Sequence, residues 1–173
     1  MNELHESTKP HEEIALKFAE VSLKQGEIYL GHQWQSGIAS DARATTVATV
    51  FAAFSALIAA AVISYWETTS DFRILFSGVL CAFQMGLGAV VCMHAARPVE
   101  FNCPGNNPDN WLENYREPLN SMIFWEAKNY GIKIKENDNV LRRNAKTLVF
   151  GLNLGILSPI VSFASWLVLI IFS

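Results

Sequence analysis

The side chains best suited to metal ligation or nucleophilic attack are four histidines and three cysteines, and their spacing serves neither chemistry. His5, His11 and His32 lie in a polar N-terminal stretch and His94 stands far downstream. None has the i, i+4 spacing with a carboxylate that a helical zinc site uses, and His32, two residues from Trp34, reads as a surface or inter-helix residue. Cys81 and Cys92 fall inside an apolar run while Cys103 is isolated in the following loop, so all three read as thiols. A Cys103 nucleophile would need a histidine base, for which His94 is the nearest in sequence. Neither a Gly-Lys-Ser phosphate loop nor a Gly-x-Ser-x-Gly turn occurs. The apolar runs hold no buried aspartate pair and no Ser and His pair for intramembrane proteolysis. The expectation is a protein that is not an enzyme, with no catalytic residue, cofactor or metal.

Two amides, Gln84 and Asn153, are the polar side chains placed where water is scarce. There, an unpaired amide is costly, so either the two hydrogen-bond to each other between helices or they line a path for an ion or small solute. The elements that carry them are three apolar runs, Thr46 to Trp66, Ile74 to Ala95 and Leu148 to Phe172, each long enough to cross a bilayer as a helix. The N-terminus is polar throughout and lacks the basic start and short apolar core of a signal peptide, so the first span is expected to stay in the mature protein.

Basic residues orient the spans. Lys9, Lys17, Lys24 and Arg43 precede the first; Arg97, Arg116, Lys128, Lys133, Lys135, Arg142, Arg143 and Lys146 lie between the second and third. The turn from Glu67 to Arg73 holds Arg73 alone. Lys and Arg in short loops stay cytoplasmic, which predicts a cytoplasmic N-terminus and central segment and puts Ser173 on the far side. Tyr65, Trp66 and Phe72 suit the headgroup region at the far-side turn. A formal charge of −3 with no basic stripe argues against nucleic acid as a partner.

The polar segments read as helices. Pro10 fits a first turn, and Leu16, Leu23 and Leu30 recur at sevens with Ala19, Gly26 and Trp34 between them, an apolar stripe in need of a partner. That partner is either the central segment of the same or an identical chain, or a different cytoplasmic protein. With no proline from there to Trp66, the helix is expected to enter the first span directly, with Asp41 and Arg43 at the lipid boundary and Gly37 as a place to kink. Ala48, Ala52 and Ala56 repeat at fours within that span, and Gly151 and Gly155 flank Asn153 in the third; small residues on one face let backbones approach closely in lipid. Ser158-Pro159 should kink the third span. Asn102 to Trp111 is dense in turn formers, with Trp111 expected to anchor the chain. A second stripe follows through Leu119, Ile123, Tyr130, Ile134, Asn137 and Leu141.

Ala39-Ser40-Asp41-Ala42-Arg43-Ala44-Thr45, at the start of the alanine-rich first span, resembles the membrane module of bacterial antiphage effectors, the Pycsar effector and SLATT-like families. Glu136 to Asn144 resembles their juxtamembrane helices. The resemblance covers the first two spans and their flanks, and implies an effector that assembles and impairs the inner membrane of an infected cell. The Pro-Gly-Asn-Asn-Pro turn and the third span depart from those families, and no stretch reads as a nucleotide-sensing domain.

The expected architecture is all-α, with three transmembrane helices and a cytoplasmic helical stalk formed by the N-terminal helix and the helix before span three. It divides into a cytoplasmic amphipathic segment (1–43), a transmembrane hairpin (44–97), a cytoplasmic turn and amphipathic helix (98–146) and a third transmembrane helix (147–173). The setting is the bacterial inner membrane, with the C-terminus periplasmic. The expected partners are membrane lipid, identical copies forming a homo-oligomer, and a cytoplasmic protein. The function expected is that of an oligomeric effector or signal-relay subunit; the alternative is a channel or transport component.

Overall fold

The computed structural model describes residues 9–106, 109 and 118–172, with side chains from Glu13 onward. The expectations for His5, for the His11 side chain and for Trp111 lie outside the described residues. The fold is all-helical: α1 spans Lys9–Thr69, α2 Phe72–Ala95 and α3 Leu119–Ile171. Each contains a stretch long and apolar enough to cross a membrane.

Helix α1 starts with Pro10 in its first turn, where a missing N–H costs nothing, and meets no further proline, so it runs unbroken for 61 residues. It stops at a tight reversal. Ser70 takes a left-handed φ of 53° while its N–H bonds the Trp66 carbonyl at 3.0 Å. Asp71 then caps α2, its side chain accepting from the Arg73 amide at 3.0 Å. Helix α2 ends at Ala95, three residues before Pro98.

Helix α3 continues through Pro159. Proline supplies no N–H for the Gly155 carbonyl one turn back, and the Ser158 hydroxyl takes that carbonyl instead, donating at 2.7 Å.

The chain forms two compact units, one of residues up to Gly37 with Val99–Leu141, the other of Ile38–Pro98 with the residues from Arg142 onward. Both α1 and α3 therefore contribute to each.

The span unit is built with small residues inside and large ones outside. Ala48, Phe51, Ala89 and Cys92 form its centre, with Val47, Met85, Leu148 and Leu152 against them. Leu57, Phe83 and Ile160 are 65, 69 and 63 % exposed. In water that arrangement would strand apolar surface; in lipid it leaves the apolar side chains solvated by acyl chains and lets backbones pack closely. Gly88 on α2 faces Gly151 and Gly155 on α3 so closely that a Cβ on Gly88 would stand 3.0 Å from the Gly151 carbonyl oxygen. Hydroxyls bridge the helices elsewhere: Ser55 donates to the Ala82 carbonyl at 2.7 Å and Ser162 to that of Ser77.

In the other unit, the N-terminal part of α1 runs parallel to the first part of α3. Leu30 is fully buried, Gly26 lies under the Tyr130 ring, and Gly37 meets Phe101 and Leu141. Trp34 packs edge-on against Phe101 with ring centroids 5.9 Å apart.

Candidate functional site

The most elaborate polar arrangement lies in this helix-pair unit, where the segment 99–106 folds along α3. Asn137, 1 % exposed, accepts from the Asn102 amide and donates back to the Asn102 carbonyl, both at 2.9 Å. One side-chain amide thus imitates a strand neighbour and satisfies a loop residue's whole main chain. Its Nδ2 also donates to Gln33 Oε1 at 3.3 Å. Gln33, 5 % exposed, in turn donates to the Ile134 carbonyl at 3.1 Å and to Asp138 Oδ1 at 2.7 Å. The network ties α1, the segment and α3 together through amides with almost no solvent access.

A second tie lies one turn and more towards the start of α3. The Gly105 amide donates to the Tyr130 hydroxyl at 3.2 Å, and Asn106 donates to Glu126 Oε2 at 3.1 Å. Lys133 reaches the Gly105 carbonyl at 3.4 Å, Glu126 Oε1 at 3.8 Å and stands 5.1 Å over the Tyr130 ring. Among the described residues Glu126 Oε1 is buried without a hydrogen bond, and Lys133 compensates its charge across a gap longer than a good ion pair.

Burial pushes the Tyr130 phenol above its ordinary value; the Gly105 amide pulls it down, and Glu126 and Glu27 push it further up. A raised folded-state pKa means that this group's contribution is fully present below about pH 10 and is lost as pH rises through the folded value. Tyr130→Phe should therefore remove about 1 kcal/mol and that alkaline dependence together. The check is denaturant unfolding of the natural chain and the variant from pH 8 to 11; equal stability and an equal alkaline fall in the two would refute it.

A pocket of about 190 Å³ opens beside the Asn137 network, lined by Glu100, Phe101, Asn102, Glu136, Asn137 and Val140. It is smaller than pockets that enclose a typical organic ligand, and Asn102 Nδ2 already donates to Glu136 Oε2 at 2.9 Å. Among the described residues no three His, Cys, Asp or Glu side chains are grouped to hold a metal ion. Cys103 is exposed and donates to the Phe101 carbonyl, 3.8 Å away.

The residues singled out from sequence are placed as follows. Leu16 and Leu23 are half-buried, Leu30 is wholly buried, and Trp34 is 41 % exposed. Ala48, Gly151 and Gly155 are buried within the span unit, whereas Ala52 and Ala56 are exposed. A step of four residues overshoots the 3.6-residue turn, so the alanine row winds off the packed face, which instead uses Ala44, Ala48, Phe51 and Val62.

The pairing of Gln84 with Asn153 is corrected. Asn153 is exposed, because two residues from both Gly151 and Gly155 it points away from the face those glycines pack. Gln84 is partly buried, and its Oε1 is enclosed with no hydrogen-bond partner among the described residues.

Gln33 was not among the sequence candidates, although Gly26, Leu30, Gln33 and Gly37 step by four, three and four and mark it as a seam position. No family model, curated protein or solved structure matches the chain.

Proposed function

We propose that this chain is a subunit of a homo-oligomeric effector or signal relay of the bacterial inner membrane, acting through partner interaction and membrane perturbation rather than catalysis. The helix-pair unit is its cytoplasmic stalk. One observation carries the reading: α1 and α3 each run without a break from that unit into the span unit. A 61-residue helix extends about 90 Å, some three times the hydrocarbon thickness, so much of α1 must lie outside lipid. Continuous helices transmit a change at one end as rotation or translation at the other, which loops do not. Lys and Arg gathered on the stalk side support its cytoplasmic placement. The likeness of Ala39–Thr45 to antiphage membrane modules supports phage defence as the setting.

The test is to insert three glycines after Gly37 in α1 and three after Leu141 in α3, so that neither helix runs unbroken between the units. In cells expressing the natural chain, phage infection is expected to depolarise the membrane, read with a potential-sensitive dye, before phage release. The inserted variant should reach the membrane in equal amount and fail to depolarise it. Depolarisation by both would sink the relay, and by neither the effector reading.

A second reading rests on Gln84. Its enclosed, unpartnered Oε1 within the spans is the kind of group that contacts water or a solute in an assembled channel. Gln84→Leu would then alter ion flux through vesicles holding the oligomer; equal flux would remove this reading.

A further inference from the structure

We propose that five cationic side chains girdling one end of the span unit, Arg43, Arg97, Arg142, Arg143 and Lys146, hold the phosphodiester headgroups of anionic phospholipids. The inference rests on the membrane placement proposed above and names the lipid. All five are exposed and all belong to the span unit, although they come from three separate stretches of the chain. Packing brings them to one level. The Phe51 ring fills the space beside Gly155, which sets Arg43 level with Thr147 on the parallel α3. Gly88 and Cys92 of the antiparallel α2 flank Gly151, which sets Ala95 level with Lys146 and puts Arg97 just beyond it. From Arg142 to Thr147 the helix rises about 8 Å, so the five form a band about as deep as one headgroup layer.

None of the five has an ion-pair partner among the described residues, where the pairs are Lys17 with Glu13 and Lys133 with Glu126. The one carboxylate at that level, Asp41, stands two residues from Arg43 and so about 200° round α1 from it. The band therefore carries positive charge that the chain itself does not match. Four of the five are arginines, whereas the Lys and Arg residues described in the other unit, Lys9, Lys17, Lys24, Lys128, Lys133 and Lys135, are all lysines. A guanidinium grips phosphate oxygens through two parallel hydrogen bonds, a geometry that an ammonium does not offer. The depth fits as well. Trp166, stacked on Phe163 with ring centroids 5.8 Å apart, lies about 30 Å of helix rise from Lys146, and Trp66 about 35 Å from Arg43. With those indoles in one headgroup layer, a hydrocarbon core about 30 Å thick places the girdle in the other.

The experiment is native mass spectrometry of the full chain from micelles holding equal amounts of phosphatidylglycerol and phosphatidylethanolamine, counting the lipids that each chain retains. One variant is Arg142→Gln with Arg143→Gln and Lys146→Gln; the control, Lys24→Gln with Lys128→Gln and Lys135→Gln, removes as much charge from the other unit. All six sites are exposed, so helix content by circular dichroism should stay that of the natural chain. The natural chain and the control are expected to retain phosphatidylglycerol over phosphatidylethanolamine about tenfold, and the girdle variant to fall to about parity. Parity in the natural chain, or an undiminished preference in the girdle variant, overturns the girdle and leaves the effector reading standing. An equal loss in the control overturns it too, because net charge alone would then attract the lipid. Sodium phosphate should displace no more lipid than sodium chloride of the same ionic strength; fuller displacement would assign the band to free phosphate instead. A chain that alkaline carbonate strips from cell membranes overturns the membrane placement itself.

Discussion

Replacing Gly88 by leucine is expected to drive the three spans apart. The obstacle to any side chain there is main chain, not a side chain that could swing away: a Cβ would stand 3.0 Å from the Gly151 oxygen, 3.0 Å from the Gly155 nitrogen and 3.3 Å from the Gly155 Cα. Relief requires α2 and α3 to separate, which would also unseat Phe51, whose ring occupies the space that a Gly155 side chain would need. Overpacking in cores that can adjust costs about 1–3 kcal/mol, and a leucine against two rigid backbones should exceed it. Gly131→Leu is the control, since nothing stands within 4 Å of the Cβ position and the helix gains from losing a glycine there. Thermal melting followed by size-exclusion fluorescence should show Gly88→Leu largely unfolded or aggregated at temperatures where Gly131→Leu keeps the natural profile. Equal melting of the two would mean that the glycine contact does not hold the spans.

How far such features can be read in advance depends on whether their cause is local. The three apolar runs announce themselves because bilayer thickness demands a run of fixed length, and α2 begins and ends within two residues of its run. The polar helices were legible from Leu16, Leu23 and Leu30 and from the stripe through Tyr130 and Asn137, because seven-residue spacing is a property of a single helix. Which face of a span packs is less legible. Ala52 and Ala56 are as small as Ala48, and choosing among them needs the partner helix, where Gly88, Gly151 and Gly155 decide how near the backbones come. Asn153 illustrates the same limit: the pair of glycines around it was visible, but not that it points opposite to them.

The Asn137 network was beyond sequence reasoning for a different reason. Asn137 stands in an otherwise apolar stripe, and Gln33 in another. A polar residue in such a stripe signals a buried partner without naming it. The partners are each other and the main chain of Asn102, 35 residues away in sequence from Asn137. No periodicity links a turn-rich segment to the helix it folds along. The resemblance to antiphage modules, drawn at Ala39–Thr45 and at Glu136–Asn144, takes in Asn137 but not the segment 99–106, which has to be understood from its own contacts.

That network supplies the second large effect. Asn137→Ala is expected to cost about 2–3 kcal/mol, because it strands the Asn102 amide and carbonyl and the Gln33 oxygen together while opening a small void. Gln33→Leu should cost less, since Asp138 is exposed and can turn to water while Asn137 keeps both bonds to Asn102. Adding Gln33→Leu to Asn137→Leu should then cost clearly less than the two changes summed, because the second removes a group that the first left unsatisfied. Hydrogen exchange read by mass spectrometry on the full chain in detergent resolves these outcomes. The amide of Asn102 and its neighbours in 99–106 should exchange about 30- to 160-fold faster in Asn137→Ala, the ratio that 2–3 kcal/mol implies when opening is fast, while the span unit keeps its protection. Acceleration confined to 99–106 would identify the segment as a strap that opens on its own. Acceleration spreading through the α1 residues around Leu30 would mean that strap and helix pair open as one cooperative unit. Unchanged exchange at Asn102 would show that the Asn137 bonds do not hold the segment.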